Sequence, residues 1–391
     1  MFVAQWNTAG MVLYILMALL GLFCMYHLIQ DNRPVRFRYL FTNPYFLLWW
    51  FVWTMIAVLR FVSDGIGGAD AIVYIENFKT CINSYLQDEH LSSDILFFGI
   101  TKLIRCFTDN YHVYFFIIYG SMLAMYIAFL KHFSDRKFIV VPYVLTFYLF
   151  LRSFNTLRSN FAIGFILISL VAFSNKQCFR AYLFAIASVL VHKASIIYAM
   201  VLPFVHIFLN RSMRIQYVAI IVIASALFAR IFQNWFLGLA DTVDLGGAYK
   251  HYAAKSLEGH SFFYVDSFGQ WLLALCLVFK NKAIGKVTKH NMNLRILWLA
   301  SVFDIIVLPF SSILGVWRGY EFLYLVRLSM YAFLMALLLK DAKPSTKQMV
   351  QIITLLILVC WMTYRVSRTF EDSALLPYIF EPFMDMLVTR F

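Results

Sequence analysis

The chain has 391 residues, 62% hydrophobic, 19% aromatic and only 14% charged, with a formal net charge of +13 and a mean hydropathy of +0.75. Soluble domains carry about 25% charged residues, so an ordinary soluble enzyme is excluded. The positive balance would suit nucleic acid, but it sits in gaps between apolar runs, which assigns it to loops facing anionic lipid; no nucleic-acid partner is expected.

Apolar runs of about 18 or more residues are long enough to cross a bilayer as helix. In chain order the expected spans are 8–29, 43–62, 111–130, 138–151, 157–174, 178–191, 194–209, 216–234, 263–279, 296–315, 322–339 and 348–366. The expected fold class is therefore all-α: a polytopic integral membrane protein with about twelve transmembrane helices in a single domain, residues 1–391. The first charged residue is Asp31. With no basic segment before the first apolar run, that run reads as a retained helix rather than a cleaved signal peptide.

Alternate gaps differ sharply in charge. One set holds Arg33, Arg36, Arg38, Lys131, Arg136, Lys137, Lys176, Arg180, Arg211, Arg214, the run from Lys280 to Arg295, Lys340, Lys343 and Lys347. It contains 18 of the 33 basic residues and three acids, Asp31, Asp135 and Asp341. Basic loops stay in the cytoplasm, so this set is inner and both termini fall outside. Spans 178–191 and 194–209 are short and separated by His192-Lys193. Joining them would move the Lys280–Arg295 cluster outside, so a tight hairpin or a broken helix is expected there.

Two outer segments exceed simple turns. Residues 63–110 contain an amphipathic stretch (Ile95, Leu96, Phe97, Phe98, Ile100, Leu103, Ile104) expected to lie along the membrane interface. Residues 235–262 form the second outer loop. Inner loops are short and basic, so functional residues are expected outside, where loops are long. Cys81 and Cys106 both fall there; a disulfide between them is allowed but not required.

Polar residues in or beside spans are the candidate site. Arg152 and Arg158 flank a corner with Ser153, Asn155, Thr156, Ser159 and Asn160. Such a donor-rich corner suits a phosphate or diphosphate gripped by forked guanidinium contacts, and snorkelling to headgroups is the alternative. His192 and Lys193 occupy the polar turn between the short spans; the imidazole suits a general base or a phosphate donor, or a helix cap. Arg318 and Arg327 border the eleventh span, with Tyr331 beyond; Arg327 lies in apolar sequence and needs a partner, for which Asp304 is available. Asp70 closes the glycine-rich stretch Asp64-Gly-Ile-Gly-Gly-Ala-Asp70, which reads as a flexible solvated loop, since no strand precedes it. Walker A, HExxH, GxSxG and DxD-type patterns are absent, so no cofactor or metal is expected.

Asp70 with Tyr74 and Phe78, the Arg152…Arg158 corner, the His192-Lys-Ala-Ser195 turn and the late Arg327…Tyr331 pair together resemble the EpsG/Wzy-type polysaccharide polymerases, over roughly residues 60–335. The resemblance implies a GT-C-like, Wzy-type helical bundle in the bacterial cytoplasmic membrane. It implies a glycosyltransferase that joins undecaprenyl-diphosphate-linked oligosaccharide repeat units on the outer face. Arg158 and Arg327 would match the family's phosphate-binding arginines, His192 its loop histidine, and Asp70 a recurrent acidic position; His192 or Asp70 would serve the acceptor hydroxyl as base or hydrogen-bond acceptor. Membrane lipids, a flippase and a chain-length regulator would be the partners. A lipid-linked oligosaccharide flippase or secondary transporter is the main rival, and an O-antigen ligase shares the chemistry. The charges gather at one face rather than at the midplane, and no related halves are evident, which favours the enzyme.

Overall fold

The computed structural model describes residues 2–30, 37–63, 66–68, 70–81, 94–133, 148–211, 220, 224, 287–288, 291–313 and 321–368. Spans 216–234 and 263–279, most of 138–151, the second outer loop 235–262, Arg318 and the C-terminal residues 369–391 lie outside the described residues. The described chain is helical. Helices α1 (Phe2–Gln30), α2 (Phe37–Leu40), α3 (Pro44–Val58), α4 (Ala71–Thr80), α5 (Ile95–Phe107), α6 (Tyr111–Phe133), α7 (Leu157–Ser174) and α8 (Cys178–Val191) come first. A 3-10 turn, Lys193–Ser195, follows, then α9 (Ile196–Ala199), α10 (Val201–Phe208), α11 (Met292–Ile313), α12 (Tyr324–Leu338) and α13 (Pro344–Arg368). Among the described residues, Ala9–Gln30, Tyr111–Phe133 and Leu157–Ser174 are long and apolar enough to cross a membrane.

Helix ends follow local chemistry. Asn43 caps α3, its side chain accepting from the amides of Tyr45 (3.0 Å) and Phe46 (3.2 Å), with Pro44 at the first helical position where no amide is needed. α7 stops in a Schellman turn: Gln177 N donates to Ala172 O and Lys176 N to Phe173 O, both at 2.9 Å. That turn places Lys176 at φ +60°, a left-handed position more often held by glycine.

The chain divides into two compact units, Met1–Ser195 with Ala332–Phe391, and Ile196–Tyr331. In the first, hydrogen bonds fix helix direction. Trp53 Nε1 donates to Met17 O (3.2 Å), and the Tyr45 ring stacks on His27, so α3 runs antiparallel to α1. Trp50 Nε1 donates to Gly120 O (2.7 Å) and His112 Nδ1 meets Val58 O (2.8 Å), so α6 runs antiparallel to α3. Tyr119 reaches Ser153 O, Tyr126 reaches Asn160 and His132 reaches Ser174, so α7 runs parallel to α6. The end of α3 and the starts of α6 and α7 therefore share one end of the unit. Lys131, Lys176 and Arg180 sit at the other, in agreement with the charge-based alternation of these spans.

At the first end, α5 buries Phe97, Thr101 and Ile104 against its neighbours α4, α6 and α8 and exposes Ile95, Leu103 and Phe107. This two-faced helix is the amphipathic stretch expected at the interface. The glycine-rich stretch is a correction to the sequence reading. Gly67 and Gly68 are buried, not solvated, at φ +79° and +115°. A Cβ on Gly67 would lie 2.1 Å from Phe61 O, and one on Gly68 2.7 Å from Phe154 O. Close packing on the Phe61–Val62 backbone at Gly67, and on the Phe154–Asn155 corner at Gly68, is what demands glycine there.

Buried Arg60 locks that junction. It donates from Nε to Gly67 O (2.7 Å), from Nη2 to Tyr119 Oη (2.9 Å) and from Nη1 to Ala57 O. Its guanidinium also lies 4.2 Å from the Phe154 ring centroid and 4.9 and 5.0 Å from those of Phe115 and Tyr119. Carbonyl and π-face contacts satisfy the cation in a cage where no water is needed.

In the second unit, Tyr198 stacks on Phe322 with centroids 4.5 Å apart, and Phe204 meets Phe303. Arg295 from α11 closes over the C-terminal end of α10, donating to Phe208 O and Leu209 O (3.4 Å each) and to Arg211 O. The unsatisfied carbonyls of a helix end attract a cation for this reason.

Candidate functional site

Asp94 precedes the first residue of α5, the position from which an aspartate usually caps its own helix. It makes no such bond. Its carboxylate, 3% exposed, instead collects donors from two other elements of the first unit. Arg158 Nη1 donates to Asp94 Oδ2 at 2.9 Å. The Lys193 amide donates to Oδ1 at 3.0 Å. His192 Nδ1 lies 3.4 Å from Oδ2, a long contact that is an ion pair when the imidazole is protonated.

Each partner is placed by local structure. Arg158 is in the first turn of α7, where its side chain leaves the helix end and is 35% exposed. The Tyr74 hydroxyl of α4 faces the same guanidinium. His192 is the residue at which α8 stops, its backbone extended at φ −154°, ψ 108° while its amide still reaches Ser188 O (3.0 Å). The 3-10 turn follows, with Ser195 N bonded to His192 O (2.9 Å). Buried Ser188 Oγ donates to Ser195 Oγ at 2.9 Å and pins the two sides of the break together. The interruption expected at His192-Lys193 is thus present, and it aims a histidine and a main-chain amide at one carboxylate.

Electrostatics follow from this convergence. Burial opposes ionisation of Asp94, but bonding and charge from His192, the Lys193 amide and the Arg158 guanidinium outweigh it and hold the carboxyl below its usual range. One carboxylate faces two basic side chains, Arg158 and His192, and a main-chain amide, that of Lys193. Arg158 and His192 are each partly open (35% and 22% exposed). Such a site can receive an anion through the donors that Asp94 does not occupy, since a guanidinium has five.

The structure brings Arg158, His192 and Lys193 together and distributes the other expected residues elsewhere. Most of the polar corner is spent internally. Ser153 Oγ donates to Phe150 O, Thr156 Oγ1 to Arg152 O, and Asn160 Nδ2 to Thr156 O and Oγ1, while Asn160 also receives Tyr126. These side chains build the corner and are not a bank of donors for a phosphate. Arg152 is half-buried on the corner, and Asp70 opens α4 two residues after Gly68, which packs on that corner. Arg327 is in the second unit and almost fully buried. Its Nε donates to Asp304 Oδ2 at 2.7 Å and its Nη2 to Oδ1 at 3.0 Å. That two-point pair occupies the fork expected to hold phosphate, so the geometry supports a structural role. Tyr331, half-buried, lies on the same helix.

Two residues escaped the sequence reading. Arg60 carried a signal, a charge at the end of an apolar span, which was absorbed into the span 43–62. Asp94 carried a misleading one: Ser92-Ser93-Asp94 before an apolar run reads as a helix cap.

The sequence model of the EpsG family matches residues 43–380, which include every residue of this cluster. No curated protein and no solved structure matches the chain.

Proposed function

The chain belongs to the EpsG family, and on that premise we propose that it is a membrane glycosyltransferase that polymerises undecaprenyl-diphosphate-linked oligosaccharide repeat units into a surface polysaccharide. The membrane is the bacterial cytoplasmic membrane, and the reaction takes place on its outer face. The observation that supports this reading most directly is the convergence of Arg158 and His192 on Asp94. A cation for a leaving diphosphate and a group able to take a proton stand together at the end of the bundle opposite Lys131, Lys176 and Arg180.

The acceptor sugar hydroxyl attacks the anomeric carbon of the donor. The new glycosidic C–O bond forms as the bond from that carbon to the diphosphate oxygen breaks, and the electron pair departs on undecaprenyl diphosphate. Arg158 meets the charge developing on that oxygen with donors fixed in advance, the arrangement that contributes most to electrostatic catalysis. His192 takes the acceptor proton at Nε2, the nitrogen turned away from Asp94. Lys193, exposed beside them, adds long-range attraction for the polyanionic donor. Arg152 and Asp70 border the same corner and are assigned to glycan contact. No step in this scheme calls for a cofactor or a nucleotide sugar.

The product profile of a deletion strain tests the reading. Loss of a polymerase leaves single repeat units exported and unjoined. Repeat units trapped on the inner leaflet would show a flippase instead, and long polymer accumulating on the lipid carrier would show a ligase.

A further inference from the structure

We propose that Asp94 is the positioning residue of this reaction, fixing through one carboxylate both the guanidinium that meets the diphosphate and the imidazole that takes the acceptor proton. The inference rests on the polymerase reading above and adds a residue to it.

Three observations lead here. First, the carboxylate gives up the bond that its position offers. An aspartate at this position usually caps its helix, yet no capping bond forms, and both oxygens turn to groups from α7 and from the break after α8. Second, Oδ2 is shared: Arg158 Nη1 and His192 Nδ1 meet the same atom, so neither side chain can swing without disturbing the other's partner. Third, the backbone carrying His192 is itself held, by the Ser188–Ser195 bond and by the Lys193 amide on Oδ1. The imidazole is thereby anchored from both sides.

The chemical consequence is a choice of tautomer. A neutral imidazole with Nδ1 against a carboxylate keeps its proton on Nδ1, because two acceptors cannot bond to each other. The lone pair then lies on Nε2, the nitrogen that takes the hydroxyl proton. After transfer, the imidazolium is stabilised by the same carboxylate. Among the described residues, the titratable side chains acting on this cluster are Tyr74 from α4, Tyr114 from α6 and Arg158 from α7, with the Lys193 amide bonded to Oδ1. Asp94 is the acid bonded to both basic side chains. Asparagine in its place would retain the shape and an acceptor for Arg158, but it has no charge, and its amide can present N–H to Nδ1 and reverse the tautomer.

The test is a double-mutant cycle on the purified full chain in lipid nanodiscs, supplied with undecaprenyl-diphosphate-linked repeat units and read as the rate of chain growth. Asp94→Asn and His192→Ala each lower the rate by about 10²–10⁴-fold, the range of a lost general base. In the Asp94→Asn background, His192→Ala then costs less than about 3-fold, because residues acting as one unit are not additive. A merely structural Asp94 would give losses that multiply, and that result overturns the proposal. So does an Asp94→Asn protein that grows chains at the wild-type rate. Should Asp94→Asn fail to accumulate, Asp94→Glu carries the same cycle, with the same two outcomes. A wild-type protein that leaves the repeat units unjoined overturns the polymerase reading itself.

Discussion

Arg327 and Asp304 face each other through two parallel hydrogen bonds, 2.7 and 3.0 Å long, with both side chains almost wholly removed from solvent. They tie α12 to α11 within the second unit. A pair so buried is costly to break from one side, because the survivor is left as an uncompensated charge. Arg327→Ala is therefore expected to lower stability by about 3–5 kcal/mol, seen as lost membrane abundance and a lower thermal midpoint in detergent. Replacing both residues together with methionine or leucine should recover most of the abundance. A phosphate-binding Arg327 would give the opposite pattern, with abundance kept and polymer lost.

Arg158 provides the contrast. It is partly open, and its carboxylate partner keeps the Lys193 amide when the guanidinium is gone. Arg158→Ala should leave membrane abundance near wild type and slow chain growth by about 10²–10³-fold. Arg158→Lys retains the charge and loses the planar fork, so it should also be slow. Polymer ladders compared at equal membrane protein level decide the matter; a full-length ladder in Arg158→Ala refutes the diphosphate role.

The lowered acidity range of Asp94 has a defined sign. A carboxyl whose folded value lies below its unfolded value contributes stability that is fully present above the unfolded value, about 3.9, and is lost as pH falls through the folded one. The difference in thermal midpoint between wild type and Asp94→Asn should shrink as pH falls below about 4, where the carboxylate takes its proton. A difference that instead grows below about pH 4 would contradict the ionised carboxylate described here.

Orientation can be read from the cysteines, and the structure selects which one to use. Both outer candidates are free thiols. Cys81 is buried, its Sγ contacts Phe78 O, and burial pushes the thiol up, whereas Cys106 on α5 is exposed. A membrane-impermeant maleimide added to intact spheroplasts should label Cys106 in a background lacking other reactive cysteines, and should label Cys81 only after unfolding. Labelling of Cys106 that requires lysis would reverse the proposed orientation.

Helix identity was legible because apolar run length is a local property. The structure places helices at 111–133, 157–174 and 178–191, where the runs expected spans, and even the interruption at His192-Lys193 was marked by two polar residues between short runs. The direction of the first helices agrees with the alternation of basic gaps, since a bilayer sorts lysine and arginine by side.

What the sequence could not convey is which polar atoms are free. Asn160, Thr156 and Ser153 look like phosphate donors in a string of letters, yet each is consumed by a carbonyl or hydroxyl within a few residues or on α6. Arg158 and Arg327 look alike, one near the start of a span and the other inside one. Packing makes one of them a half-open cation beside Asp94 and the other a sealed partner of Asp304.

By itself, then, the sequence determined the apolar segments, the alternation of basic gaps between them, and the break that carries His192, all of which depend on residues adjacent in the chain. The tertiary structure decided that Asp94, 64 residues from Arg158 and 98 from His192, is where they meet. Contacts at such separations depend on how several helices pack at once, and a carboxylate's partners are settled by the three-dimensional competition among donors, which no local pattern encodes.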